Sequence, residues 1–571
     1  MALATLRSSP RNPDRELTAR ALMTGMVLGA LLAPCNVYSG LKIGWSFNMS
    51  ITALLLSFAF WGPAARLFGL APWGMLESNI NQTAASSAAS IVSSGLVAPI
   101  PALAMMTGGN LPWPTLVAWV FAVSFLGVWV GWYLRPRLIV NSGLVFPAGM
   151  ATAETMRDMF SHGREAMRRV SVLLGSLSVA AAINAIDDFL WQIPRLAPSL
   201  TAQKLTIAFD PSLLLLGFGG IIGLRAGLGL LAGAMLAWGV IAPELIARGV
   251  VDVSGTDNWF QPLVGWLLWP GVTMMVTASL TSFAIAVIGT ARAPRPPRAS
   301  LAREAGSRVR LGGFAIAAAL TVLLQIALFD IHWTMALLAI PLAFVLAMVA
   351  ARVVGETSVA PIGAIGKVSQ LTFGALAPGQ PITNLMTANV AGGAAGQCAD
   401  LLNDFRAGNE IGASPARQVI AQCAGVLAGS VAGSLVYLTL IKDPARQLLT
   451  PEWPAPAVAT WKAVAESLSQ GLGGIPASAL TAMAIAAICG VALALAERRV
   501  TGRGLLWLPS GASLGLAFVI PASTSMTLFL GALAAAFLNR VAPNWSARFL
   551  LSLAAGLVAG ESLYGVVAVW I

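Results

Sequence analysis

WTMALLAIPLAFVLAMVAAR, residues 333–352, carries no charged side chain until Arg352. As an α-helix, a run of about 18 or more such residues covers the hydrocarbon core of a bilayer. Comparable runs recur near 19–38, 46–61, 75–98, 113–133, 170–190, 211–224, 226–246, 263–289, 311–328, 416–440, 477–496, 504–521, 523–538 and 549–569. The pattern predicts an all-α polytopic membrane protein with about 14 to 16 transmembrane helices. Composition agrees, since 57% of the 571 residues are hydrophobic and 10% are charged, against about 25% charged in soluble domains. The 57 glycines and 33 prolines suit membrane helices, where neighbouring groups re-satisfy the freed backbone.

Four further segments, near 138–155, 358–376, 382–402 and 461–475, are amphipathic or interrupted by Gly and Pro, and read as re-entrant or broken half-helices. Irregular backbone at membrane depth must line protein or a watery cavity, so these pieces should point inward. An internal echo divides the chain into two pseudo-repeated halves. NINQTAASSAAS (79–90) aligns with NVAGGAAGQCAD (389–400), and LVFPAGMA (144–151) with LWLPSGAS (506–513). Repeated halves around a central site are a common transporter plan. The expected organisation is a cytoplasmic tail (1–18), an N-terminal membrane half (19–290), a basic cytoplasmic linker (291–310) and a C-terminal membrane half (311–571).

The formal charge of +11 does not indicate nucleic acid, because the basic residues sit in short loops and act as topology signals. Those loops, 157–169, 292–310 and 497–503, and the tail with Arg7, Arg11, Arg15 and Arg20, are placed in the cytoplasm. The setting is a cytoplasmic membrane, crossed many times, with lipids as partners. No removable signal peptide is expected, since the tail before Ala21 is polar. The four cysteines, Cys35, Cys398, Cys423 and Cys489, are too far apart for a zinc cluster and read as packing residues. Two histidines, His162 and His332, make no metal site alone. Neither a cofactor nor a resident metal is expected. Trp113, Trp132, Trp191, Trp333 and Trp453 read as interfacial anchors.

Charge inside the apolar pattern carries the functional reading. GLKIGWSF (40–47) places Lys42 beside a spanning run, with Asn36, Tyr38 and Trp45 nearby. A charged residue at mid-membrane costs about 2.5 to 3.5 kcal/mol on insertion scales, so such residues are functional candidates. Lys42 and Lys367 have stems long enough to snorkel to the interface, whereas Glu77 and Glu561 do not. ESNINQTAASSAASIVSSG (77–95) is most of a span yet rich in Ser, Asn, Gln and Thr. It is either interhelical glue, with contacts worth about 0.6 to 2 kcal/mol each, or a polar cavity wall. GETSVAPIGAIGKVSQ (355–370) is superficially similar to a phosphate-binding loop, but has two residues between its glycines and Val368 after Lys367. Nucleotide binding is therefore excluded. ITNLMTANVAGGAAGQCADLLNDFRAG (382–408) adds Asn384, Asn389 and Gln397, with Asp400 and Asp404 on one helix face, able to hold a cation or meet Arg406 and Arg417.

These blocks, in this order, resemble the oligopeptide transporter superfamily, which includes the yellow stripe-like metal-chelate transporters. The resemblance rests on NVYSGLKIGWSF (36–47), NQTAASSAA (81–89), LVFPAGMATAETM (144–156), GETSVAPIGAIGKVSQ (355–370), the block 384–414 and AGLVAGESLYG (555–565). It implies secondary import of peptides, glutathione-like compounds or metal chelates, generally coupled to protons. The NPG and KIPPR motifs of the eukaryotic peptide-transporting clade are absent, and GLKIGW is nearer the yellow stripe-like pattern.

The expected function is a proton-coupled importer of small peptides or peptide-like compounds, not an enzyme. The alternatives are a metal-chelate importer, a passive channel, and an intramembrane prenyltransferase-like enzyme suggested by the D-x-x-x-D of Asp400 and Asp404 with Asp187 and Asp188. The substrate-binding candidates are Asn36, Tyr38, Lys42, Trp45, Asn81, Gln82, Thr83, Lys367, Gln370, Asn384, Asn389 and Gln397. The proton-coupling candidates are Glu77, Glu356, Asp400 and Glu561. A symmetric homodimer is a reasonable expectation on general grounds, although the sequence itself does not specify the oligomeric state.

Overall fold

A computed structural model describes residues 15–46, 48–140, 144–161, 163–254, 259–292, 307–357, 361–471, 475–500 and 504–570. Most of the tail, His162 and most of the basic linker (293–306) lie outside the described residues. Every regular element among the described residues is helical. The ones that position the site are α1 (Ala19–Ile43), α2 (Met75–Ala89), α3 (Trp113–Arg135), α4 (Gly163–Phe189), α5 (Leu213–Ile222), α6 (Phe260–Arg292), α7 (Trp333–Thr357) and α8 (Ile362–Leu376). They continue with α9 (Pro381–Ile411), α10 (Pro415–Leu440), α11 (Pro456–Gln470), α12 (Ala477–Arg499), α13 (Ala522–Val541) and α14 (Pro543–Ala568).

Thirteen helices among the described residues are long and apolar enough to cross a membrane. Two expected spans do not form a spanning helix. The run at 211–224 is the 10-residue α5, stopped by Gly223 at φ 83°. The run at 504–521 breaks into Gly504–Trp507 and Gly511–Leu516. Of the four segments expected to be broken, three overlap 15-residue helices, Pro147–Ser161, α8 and α11. At 1.5 Å per residue each is about 22 Å long, short of the roughly 30 Å core. The fourth, 382–402, is part of the continuous 31-residue α9. Its glycines are contact points rather than breaks: a Cβ on Gly393 would meet Ser94 Cα at 3.0 Å, and one on Gly396 would meet Ser93 Cβ at 2.9 Å.

Small residues bring the helices together. Gly25 and Gly29 of α1 lie on Asn81, Ala84, Ala85 and Ala88 of α2, and Gly425 and Gly429 of α10 lie on Ala84 and Ala88. Gly556 and Gly560 of α14 bed against Leu173 and Leu177 of α4 in the same way. Each pair is spaced i, i+4, the pattern that lets membrane helices approach backbone to backbone. The α10–α2 and α14–α4 contacts cross the midpoint of the chain. Helices from 19–290 pack directly on helices from 311–571: α1 and α2 on α10, α3 on α9, α4 on α14, α5 on α13, and α6 on α12. The two echoing segments, 79–90 and 389–400, lie on α2 and α9 and meet, with Gln397 Nε2 donating to Ser87 Oγ at 3.1 Å.

Candidate functional site

GLKIGWSF is where α1 ends. Gly44 takes the left-handed conformation (φ 76°) and its N–H bonds Gly40 O at 2.9 Å, a cap that favours glycine because no Cβ is present to clash. Tyr38 and Lys42 lie one turn apart on the same face. The Lys42 ammonium sits 5.6 Å from the Tyr38 ring centroid and 5.3 Å from that of Trp453. Those two rings meet edge to face at 5.2 Å. Trp453 arrives on a loop tethered to the same helix end, where the Ala455 N–H bonds Leu41 O at 2.9 Å. It is only 6% exposed, so it is a wall of the site and not the interfacial anchor expected of it. Trp113, Trp191 and Trp333 are exposed, in keeping with anchoring.

These groups line a cavity of about 1120 Å³. Its walls come from α1, the end of α4, the connection 193–212, the loop 446–454, residues 521–524 and α14. Acidic side chains Asp187, Asp188, Asp210, Glu452 and Glu561 face it together with basic Lys42, Arg195, Lys204 and Arg446. Lys42 makes no ion pair among the described residues; its charged neighbours are Glu561, Asp210 and Glu452. Glu561 is buried on α14. Its Oε1 accepts from Ser212 Oγ at 2.7 Å and its Oε2 from the Leu214 N–H at 2.8 Å. The carboxylate thus satisfies an orphan donor at the start of α5, where the helix dipole favours negative charge. Asp187 accepts from the Ile193 N–H at 2.6 Å, and Asp188 from the Tyr564 hydroxyl of α14 at 2.8 Å.

Of the sequence candidates, Tyr38, Lys42 and Glu561 share this cavity. Trp45 stands behind it, stacked on Phe218 at 6.2 Å. Asn36 and Asn81 hold backbone carbonyls, those of Ala89 (3.0 Å) and Ala21 (3.3 Å). Gln82 donates to Asn79 and to Thr83 within α2. Gln370 and Asn384 bond one another between α8 and α9, and Gln370 also reaches Trp461 O at 3.1 Å. Lys367 lies beside them, buried, with its ammonium 4.4 Å from the Trp461 ring centroid. Asn389 packs against Gly95, which has φ 117°. Among the carboxylates, Glu77 is gripped by Arg20, at 2.8 Å through Nε and 2.5 Å through Nη2, and by Thr18 Oγ1 at 2.7 Å. Glu356 is exposed and sits 3.7 Å from Arg352. Asp400 lies with Asp404 on the face of α9 turned toward α2.

The sequence reading did not single out Asp210, Glu452, Ser212 or Tyr564. Asp210 and Ser212 lie on either side of Pro211 immediately before α5, and Glu452 is flanked by Pro451 and Trp453. Polar residues between prolines at the edge of an apolar run were the available signal.

A family model described as "OPT oligopeptide transporter protein" matches residues 16–571. The chain belongs to this family. Two relatives show its breadth. "Putative oligopeptide transporter YGL114W" of Saccharomyces cerevisiae is 23% identical, covering 97% of this chain and 95% of its own length. "Metal-nicotianamine transporter YSL2" of Arabidopsis thaliana is 23% identical, covering 96% and 92%. The chain is therefore a multi-pass transporter of the OPT family, with relatives in both the peptide-named and chelate-named groups.

Proposed function

We propose that this OPT protein is a proton-coupled importer of small peptides or peptide-like acids, bound in the cavity between α1, α4, α5 and α14. The observation that carries the reading is Lys42: a cation without an ion pair among the described residues, held by two aromatic rings on the wall of a cavity that also presents carboxylates. Lys42 takes a substrate carboxylate, and Asp187, Asp188, Asp210 and Glu452 face its amino groups. Tyr38 and Trp453 supply apolar contact and hold the ammonium in place. Glu561 is the proton carrier in this scheme. Protonation would remove the charge that caps α5, so occupancy of the carboxylate is tied to the position of a helix in the cavity wall.

A metal chelate is the second cargo to consider. The chelate-named relatives favour it, and the cavity lining among the described residues contains neither His nor Cys, so a metal would travel wrapped in its own ligand. Cargo and coupling are tested together in proteoliposomes under an imposed pH gradient. Concentrative uptake should follow the gradient, and Glu561→Gln should abolish accumulation while preserving exchange of substrate across the membrane. Uptake that neither saturates nor concentrates points to a passive channel and sinks the proposal.

A further inference from the structure

Away from the cavity, α2 and α9 enclose a group of oxygens that the transport reading does not use. Asp400 and Asp404, one helical turn apart, face α2, where Gln82, Ser86 and Ser90 are likewise spaced by one turn. Gln82 lies against the Asp404 carboxylate and Ser90 against that of Asp400. Among the described residues neither aspartate is ion-paired; the neighbouring Arg406 is taken by Glu410 at 3.1 Å. Asp404 is 2% exposed, Gln82 is fully buried and Ser86 is 1% exposed. Among the described residues Asp404 Oδ2, Gln82 Oε1 and Ser86 Oγ have no hydrogen-bond partner. Asp400 and Ser90 are only partly buried, which leaves one end of the group accessible.

Two carboxylates within one turn, in a low-dielectric setting and without a basic partner, must either take up a proton or be met by a compensating positive charge. The unpartnered amide and hydroxyl oxygens need a donor or a metal ion. Oxygen-only donors of this kind match hard cations and not soft ones. We propose that Asp400, Asp404, Gln82, Ser86 and Ser90 form a binding site for a hard metal cation between α2 and α9. The site is separate from the substrate cavity and does not depend on the identity of the cargo or on Glu561. A cation there bridges the two segments that echo one another in sequence, so its occupancy would bear on how the two halves of the chain stay in contact.

The test is binding to purified full-length protein in detergent, independent of transport. Thermal unfolding is followed in choline chloride as NaCl or, separately, CaCl₂ replaces it at constant ionic strength. A saturable rise in midpoint with either ion supports the site, and the effective ion gives its charge class. Asp404→Asn should abolish the rise. Ser86→Ala, which preserves the charges and removes one hydroxyl, should shift saturation to several-fold higher concentration. No ion-specific rise in the wild-type protein overturns the proposal whether or not the variants fold. So does a rise of the same size and midpoint concentration in Asp404→Asn. A midpoint that responds to pH but to neither metal ion also overturns it, in favour of a proton shared by the two aspartates.

Discussion

Replacing Lys42 with Met should separate substrate recognition from folding. Methionine keeps an unbranched apolar stem between Tyr38 and Trp453, so the walls stay filled and only the ammonium is lost. Two contributions then change. The pair of ring contacts, at 5.6 and 5.3 Å, is worth about 0.5 to 2 kcal/mol to the folded protein, and losing it is partly offset by no longer holding a charge among apolar groups. A hydrogen bond to a charged partner contributes about 1.5 to 3 kcal/mol, so a substrate carboxylate should lose about 10- to 150-fold in affinity. The assay is competition or uptake in proteoliposomes with a peptide that binds the wild-type protein, paired with the same peptide amidated at its C-terminus. Lys42→Met should weaken the acid by that factor and leave the amide nearly unchanged, so the wild-type preference for the acid collapses. If acid and amide weaken together, or if the acid is unaffected in folded protein, Lys42 does not receive a carboxylate and the assignment fails.

At the other end of α1, Glu77→Gln should lower the thermal midpoint by weakening the clamp with Arg20. The carboxylate is buried and the guanidinium 17% exposed, so the loss should be about 3 kcal/mol at most, the lower bound for a fully buried pair. Arg20→Met combined with Glu77→Gln should recover part of it, because no unpaired charge then remains; a double variant less stable than either single one refutes this account. Gly429→Leu should prevent α10 from closing on α2, since even its first carbon would meet Ala88 Cα at 2.6 Å. The expected cost is about 1 to 3 kcal/mol or more, visible as aggregation on size-exclusion chromatography, whereas Leu at the open Gly62 should be tolerated. Trp453→Ala should weaken the acid and amide ligands alike, since it removes a wall and releases Lys42; a purely acid-selective loss would argue against its role as apolar wall.

How much could be read beforehand depends on what each feature needs. Spanning helices such as α7 are set by local composition and were legible, as was the polar character of α2, whose side chains lipid cannot cover. Length misled where spacing by glycine mattered. The run 211–224 is apolar enough for a span, yet Gly223 ends α5 after 10 residues. The opposite happened in α9, where glycines suggestive of breaks let neighbouring helices touch an unbroken 31-residue helix. The candidate residues divide for a similar reason. A buried amide has the same sequence signature whether it faces a ligand or a carbonyl of the next helix. Asn36 and Gln370 hold neighbouring backbone carbonyls, while Lys42 looks onto a void, and only tertiary packing distinguishes them. Trp453 shows the same limit, because a tryptophan beside prolines reads as an interfacial anchor until the loop is seen to fold over Lys42.

Helix α1 links two of these features mechanically. Its 25 residues span about 37 Å, with the Arg20–Glu77 clamp at one end and Lys42 at the cavity wall at the other. The Arg20 guanidinium also lies 5.4 Å and 5.3 Å from the ring centroids of Trp61 and Trp73, so that end is fixed to the helix Ser50–Leu67 and to the loop before α2. Near the middle is Pro34, which lacks the N–H that would otherwise bond back to Ala30 and so weakens the helix at that point. In an alternating-access cycle one side must loosen while the other closes. A helix firmly clamped at one end, carrying Lys42 at the other and weakened by proline between them can bend without breaking the clamp. Replacing Pro34 with Ala restores the missing hydrogen bond and stiffens α1. The expected result is slower turnover with unchanged ligand affinity, measured as uptake rate and binding on the same preparation; an affinity change at unchanged rate would show that Pro34 shapes the cavity instead of the motion.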